Sequence, residues 1–401
     1  MITFPYLSEI IRKNQSRIIM VVVDGLGGIP NPDSGLSELE SAVTPNLDKL
    51  AQTSDCGVST PVLPGITPGS GPGHLSLFGY DPIKHIIGRG ALEAFGAGVE
   101  LKDGEVAARG NFCSIDSTGL ITDRRAGRIS TKECQRLCAV LSSITIPKVK
   151  LRVIPGEEHR FTVVFEGEGL SPDISSNDPQ SIGTYPLSII SSTRVSEPMV
   201  HIVEQFIAQA REFLMQERPA NMILLRGFSS IPKIPSMASS YQLNPAAIAA
   251  YPMYRGLAQL VGMTVLSTGK TFQQEVQTLR DNYLKYDFFF LHYKDADTAG
   301  EDGNFTNKVR ALEHFDLLIP ELTTLEPEVL AITGDHSTPS AMLGHSWHPV
   351  PFLIHSKYSI QAVTPAFSEK SCKSGSIGPI SAQYLMLSIL AHADKLTKFG
   401  A

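Results

Sequence analysis

Three apolar runs that end among carboxylates most constrain what this chain can fold into. Arg17-IIMVVV-Asp24 is an unbroken stretch of β-branched and apolar residues closed by Asp-Gly. The same grammar returns at Tyr286-DFFFLHYKDAD and at Val329-LAITGDH. None of these runs alternates polar with apolar, so both faces of each strand must be covered, as in a parallel sheet lined by helices. Further strands are expected at Asn221-MILLRG and Gly262-MTVLS, the former as a core strand with Arg226 at its end. Helical periodicity lies between, at Thr44-PNLDKLAQ, Glu197-PMVHIVEQFIAQAREFLMQ and Asn307-KVRALEHFDLLIPEL. This alternation predicts an α/β fold, a doubly wound and mostly parallel sheet, whose function gathers at the carboxyl ends of its strands.

The stretch from about Ile87 to Ser196 reads differently. It holds Gly-rich turns, short alternating strands at Lys148-VKLRVI and His159-RFTVVFEG, and a polar loop at Ser171-PDISSNDPQS. We expect a core built from residues 1–88 and 197–401, with residues 89–196 inserted as a smaller α+β domain. A length of 401 residues accommodates two such bodies. The net charge of −6 argues against a generic nucleic-acid binder, while a local arginine cluster can still attract an anion. Five scattered cysteines, without a C-x-x-C, do not form a disulfide framework; Cys134 and Cys138 would share a helix face as packing residues. No apolar run reaches the roughly 18 residues of a membrane span, and the N-terminus lacks a signal pattern, so a cytoplasmic protein is expected.

Asp24, Asp295, Asp297, Glu301, Asp302, Asp335, His336, His345 and His348 are candidate metal ligands, being carboxylates and imidazoles near strand ends. Singly, each reads as a surface acid or a satisfied histidine. Asp335-His336 directly after an apolar strand, with His345-S-W-His348 close behind, favours a metal site when joined with Asp24. Ser70, in Pro64-GITPGSGPGHLSLFGY, stands where a helix begins. It is either an ordinary N-cap or, beside a metal ion, an activated nucleophile. His74 could contact a phosphate or brace the turn, with bracing favoured. Arg89, Arg124, Arg125, Arg128 and Arg226 offer planar forks that match phosphate or carboxylate oxygens.

The motifs VVVDGLGG, TPNLDKLA, PGSGPGHLSLFGYDP, GRGALEAFGAG, ARGNF, DRRAGR, LLRG, AAIAAYPMYRG, TGDHSTP and HSWHPVP occur in this order along most of the chain. Together they resemble the cofactor-independent phosphoglycerate mutases, in the shorter form of archaea and some bacteria, within the alkaline-phosphatase superfamily. The resemblance implies one metal held by Asp24, Ser70, Asp335 and His336. It implies a second held by Asp297, the residue at 301 and His345. Ser70 would accept the phosphoryl group and return it to the other hydroxyl of the same glycerate. Arg89, Arg124, Arg128 and Arg226 would hold the phosphate and carboxylate.

Two departures stand out. Glu301 occupies the place of the family's histidine, with Asp302 next to it, and a carboxylate-richer site favours Mn or Mg over Zn. Asn244 stands where relatives carry a basic residue, which puts part of the substrate contact in question. The implied function is interconversion of 3-phosphoglycerate and 2-phosphoglycerate in glycolysis and gluconeogenesis. It would use two divalent metal ions and no 2,3-bisphosphoglycerate, with phosphoglycerate as the small-molecule partner and neither nucleic acid nor membrane. A phosphotransferase or phosphatase on the same scaffold, such as a homoserine kinase-like enzyme, and a catalytically dead metal-binding protein are the alternatives. The oligomeric state is left open.

Overall fold

The computed structural model describes residues 4–360 and 364–400. The chain divides into two compact units, Met1–Ile86 with Ile234–Ala401, and Ile87–Lys233. Strands run along the chain as β1 (Ile18–Val23), β2 (Asp55–Thr60), β3 (Val106–Ile115), β4 (Ile121–Asp123), β5 (Lys150–Pro155), β6 (Arg160–Glu166) and β7 (Met222–Ser229). They continue as β8 (Pro245–Ile248), β9 (Thr264–Val265), β10 (Phe288–Tyr293), β11 (Val329–Thr333), β12 (Val350–Ser356) and β13 (Gly378–Ser381).

The first unit is built on an eight-stranded sheet ordered β13-β2-β12-β11-β1-β10-β8-β9. Only β12 runs against its neighbours, β11 and β2; the rest pair in parallel. The mixed α/β fold with a large, mostly parallel sheet therefore stands as expected. Every residue of β1, β10 and β11 is buried, which is why these runs lack alternation. On one face Val21, Leu291 and Ile332 pack against Leu47 and Leu50 of the helix Pro45–Ala51 and Leu312 and Phe315 of the helix Phe305–Asp316. Truncating one such side chain, Leu291→Ala for instance, costs about 2–5 kcal/mol. The helix Phe272–Asn282 starts at a reciprocal cap, in which the Thr271 hydroxyl accepts from Gln274 N–H and the Gln274 side chain accepts from Thr271 N–H. The expected single helix from Asn307 is two, Phe305–Asp316 and Ile319–Thr323, with Pro320 in the first turn of the second.

The second unit carries a sheet ordered β4-β3-β6-β5, with β7 also paired to β3. This corrects two expectations. The strand at Asn221-MILLRG belongs to this sheet, antiparallel to β3, and not to the large one. The helix Glu197–Leu214 also belongs here, packing Val203, Phe206 and Leu214 on a core with Phe112, Phe161 and Val163. The unit therefore extends to Lys233 rather than ending at 196. An apolar run marks a buried strand but says nothing of which sheet supplies its partner. The unit's entry and exit lie side by side: Ala91 N–H donates to Ser229 Oγ at 2.8 Å, and a Cβ on Gly88 would fall 2.3 Å from that of Ser229.

Cys134 and Cys138 share the buried face of the helix Thr131–Leu141, with sulfurs 3.9 Å apart. Asn244 requires a further correction. It precedes β8, is exposed, and donates from its backbone to Asp287 Oδ1 and from its side chain to Lys285 O. That is the amino edge of the sheet, opposite the strand ends that carry the candidate ligands, so a basic residue there could not serve the site.

Candidate functional site

The order β11-β1-β10 brings three strand ends together in the first unit. Asp24 follows β1 directly, Asp335-His336 lies just past β11, and Asp297 sits on the helix Asp295–Glu301 that follows β10. Asp24, Asp335 and His336 form one group of potential ligands and Asp297, His336 and His345 another, with ligand atoms in each group within 4.8 Å of one another. Glycines permit this convergence. Gly25 takes φ +58°, and a Cβ on it would stand 2.7 Å from Asp297 Cα; a Cβ on Gly73 would stand 2.4 Å from Asp335 O. The latter lets the helix Ser70–Leu77 lie flush against the Asp335 segment.

Ser70 is the first helical residue, and Gly69 is the N-cap, so the hydroxyl is not spent on capping. Its Oγ lies 3.3 Å from His336 Nε2. That nitrogen also lies 3.3 Å from Asp24 Oδ1 and 3.2 Å from Asp335 Oδ2. Thr338 fixes the state of the ring. Its hydroxyl donates to Asp297 Oδ1 at 2.6 Å, so at 3.0 Å it accepts from His336 Nδ1–H, leaving Nε2 as a bare acceptor. His345 is set the same way, its Nδ1–H given to Pro68 O at 2.9 Å. Its Nε2 is thereby turned to Asp297 Oδ1 at 3.7 Å and Glu301 Oε1 at 3.6 Å.

Asp24 is wholly buried, and its two oxygens have different surroundings. Oδ2 accepts from Tyr254 OH at 2.5 Å, Lys294 Nζ at 3.0 Å and His292 Nε2 at 3.1 Å. Oδ1 of Asp24 and both oxygens of Asp335 are buried without a donor among the described residues. Buried, unpaired carboxylate oxygens gathered around a bare imidazole nitrogen are costly unless a cation sits among them, which is how a divalent metal fits this donor set. Burial opposes ionisation of Asp24, but the His292 hydrogen bond and the charge of Lys294 help to outweigh it, and its pKa is held well below the ordinary value. Burial likewise opposes protonation of His74, yet Asp335 raises its pKa. His74 Nδ1 lies 2.9 Å from Ser70 O and 3.2 Å from Asp335 Oδ2, which braces the turn.

Four candidate ligands stand outside these groups. Asp295 and Asp302 are exposed, and His348 stacks on Trp347 with Nδ1 on Ser346 Oγ. The Glu301 carboxylate, at 52% exposure, reaches His345. Four participants escaped the sequence reading: Tyr254, His292, Lys294 and Thr338. Lys294 bridges Asp24 Oδ2 and Asp297 Oδ2, at 3.0 and 2.5 Å. All four lie in segments already quoted, Tyr254 in AAIAAYPMYRG, His292 and Lys294 in DFFFLHYKDAD and Thr338 in TGDHSTP, but none was singled out as a site residue.

In the second unit, Arg226 lies within β7 rather than at the end of a core strand, with Arg109 opposite it on β3. Arg124 forms a two-pronged pair with Asp178, and Arg89 pairs with Glu93 at 3.3 Å. Arg125 and Arg128 are exposed, and neither makes an ion pair among the described residues.

Residues 51–221 match the family model described as 2,3-bisphosphoglycerate-independent phosphoglycerate mutase. A Thermus thermophilus protein named "Probable 2,3-bisphosphoglycerate-independent phosphoglycerate mutase" is 47% identical over 404 residues, covering 99% of each chain. An Aquifex aeolicus protein of the same name is 48% identical, over 98% of this chain and 99% of its own. Among solved structures, the cofactor-independent phosphoglycerate mutase of Thermoplasma acidophilum superposes with a TM-score of 0.77 at 28% identity, over 94% of this chain and all of the other. Near-identity of length, continuous similarity and a shared fold lead to one conclusion: this chain belongs to the 2,3-bisphosphoglycerate-independent phosphoglycerate mutases.

Proposed function

We propose that the chain interconverts 3-phosphoglycerate and 2-phosphoglycerate through a phosphoserine on Ser70, at a centre that holds two divalent cations. The observation that carries this is the set of donor-free oxygens of Asp24 and Asp335 around the bare Nε2 of His336, 3.3 Å from the Ser70 hydroxyl. Asp24, Ser70, Asp335 and His336 would hold one ion; Asp297, Glu301 and His345 would hold the other. Glu301 is preferred to Asp302 because its Oε1 lies 3.6 Å from His345 Nε2, and its carboxylate suits Mn or Mg. Bound there, such ions lower the pKa of a ligating hydroxyl and neutralise charge on a transferring phosphoryl group.

The protein's own groups do the rest. The Ser70 hydroxyl is held at a helix start, where partial positive charge favours an alkoxide and an incoming phosphate. Thr338 and Pro68 O fix both imidazoles with Nε2 bare, and Lys294 holds the outer oxygens of Asp24 and Asp297 so that the inner ones face the ligand groups. Arg89, Arg124, Arg128 and Arg226 are carried from the resemblance as the cations for phosphate and carboxylate. A cytoplasmic place in glycolysis and gluconeogenesis goes with this reading; no helix among the described residues is long and apolar enough to cross a membrane.

Phosphorus NMR of Mn-reconstituted protein with 3-phosphoglycerate, and without 2,3-bisphosphoglycerate, tests it. The expected product is 2-phosphoglycerate without free phosphate; free phosphate alone would replace the proposal with a phosphatase. Ser70→Ala is expected to abolish turnover while Mn binding persists through the remaining ligands, and normal turnover by that variant would end the phosphoserine mechanism.

A further inference from the structure

The polar segment Ser171-PDISSNDPQS reads as a solvated loop, yet Asn177 and Asp178 are only 2% and 5% exposed. Asn177 stitches the segment to β7: its N–H donates to Leu225 O at 3.1 Å, and its Oδ1 accepts from Leu225 N at 2.5 Å. This fixes Asp178 beside Arg226. Asp178 accepts Arg124 Nε at 3.0 Å and Arg124 Nη2 at 2.7 Å, and Arg226 Nη1 lies 3.8 Å away. Arg226 in turn faces Arg109 directly across the β3–β7 pair. Like charges placed opposite each other destabilise a sheet, so the pairing needs compensation. Glu93 supplies part of it, 2.6 Å from Arg109 Nη1 and 3.3 Å from Arg89 Nε. Four guanidinium groups still face two carboxylates, and the Nε atoms of Arg109 and Arg226 are buried without an acceptor among the described residues. Unspent donors and surplus positive charge mark an anion site.

We propose that Asp178 is the positioning residue of this site, holding Arg124 and Arg226 so that they present their remaining N–H groups to a phosphate or carboxylate group of the substrate. The inference rests on the mutase reading and extends it to a residue that touches no substrate. Two effects of Asp178 oppose each other and can be separated. Its charge repels an anion, so removal would tighten binding if charge were all it contributed. Its geometry orients two forks, so removal loosens binding if positioning dominates, because a bidentate fork has little tolerance for rotation.

The test is Asp178→Asn in the Mn-loaded full chain, an exchange of nearly equal volume, with folding checked by circular dichroism. KM for 3-phosphoglycerate is expected to rise tenfold or more while kcat stays within about threefold, and Asp178→Glu should recover part of the loss. Arg124→Ala combined with Asp178→Asn should lose less than the sum of the two single losses, since part of the Asp178 effect acts through the Arg124 fork. Calorimetric titration with inorganic phosphate and with glycerate identifies which end of the substrate the site takes. Weaker binding of either in Asp178→Asn supports the proposal; unchanged or tighter binding of both overturns it. If Asp178→Asn does not fold, Arg124→Lys keeps the charge and breaks the fork, and an unchanged KM in that variant overturns the proposal equally. A wild type that fails to convert 3-phosphoglycerate removes the mutase reading and this inference together, whereas a working wild type with an unaltered Asp178→Asn removes this inference alone.

Discussion

Lys294→Met removes one ammonium and little volume from between two buried acids. Nζ stands 3.0 Å from Asp24 Oδ2 and 2.5 Å from Asp297 Oδ2, and both carboxylates are at most 1% exposed. At an effective dielectric constant of about 20, the two contacts are worth roughly 5.5 and 6.6 kcal/mol of Coulomb attraction, much of it offset by the cost of burying the ammonium. Removing one partner of such a group leaves uncompensated charge and costs about 3–5 kcal/mol. The metal-free variant should lose about that much unfolding free energy, and saturating Mn should restore most of it by supplying positive charge nearby. Urea titration with and without chelator measures both quantities. The protein contains one tryptophan, Trp347, two residues from His345, so its fluorescence reports on the unit that carries the site. A chelated variant within about 1 kcal/mol of wild type would show that Lys294 does not neutralise these acids. An equal deficit with and without Mn would mean that the side chain acts by packing.

Two further outcomes are expected. Glu301→His should raise affinity for Zn relative to Mn by about tenfold, because imidazole suits the softer ion; metal competition on purified protein checks this. Burial pushes the Glu275 carboxyl up to about 8, even though it accepts N–H bonds from Ala250 and His292. A carboxyl with a raised folded pKa stabilises fully below its unfolded value and loses that contribution as pH rises through the folded one. Relative to Glu275→Gln, wild type should therefore lose up to about 4–5 kcal/mol between pH 4.5 and 8, read by urea titrations across that range.

The ends of β1, β10 and β11 were legible because a strand buried on both faces has no other reason to close on an acid. The start of the helix at Ser70 was legible from its glycines and prolines, though not which residue capped it: Gly69 does, and this frees the hydroxyl. Lys294 escaped because a lysine among aspartates resembles a solvated turn until the depth of the carboxylates is known. Tyr254 and His292 escaped because their partner, Asp24, lies 230 and 268 positions away, and no local pattern encodes such a bond. The run at β7 was recognised as a strand but given the wrong sheet, since burial on both faces leaves no trace of the neighbour. Asp178 was passed over for a similar reason: its loop composition is polar, and only the Asn177 bonds to Leu225 draw it inward.

The adjoining entry and exit of the second unit bear on how the chain finds its fold. Strands β2 and β8 belong to one sheet but are separated by the whole of Ile87–Lys233. As a random coil, that segment would tax the closure of the large sheet. Once folded, with Ala91 bonded to Ser229, it acts as a connection only a few residues long. The saving in closure entropy for such a contraction is about 3 kcal/mol. Early closure of the insert therefore brings the distant halves of the large sheet within reach of each other, and slow closure would leave the acids at 24, 297 and 335 waiting on a unit that contributes none of them.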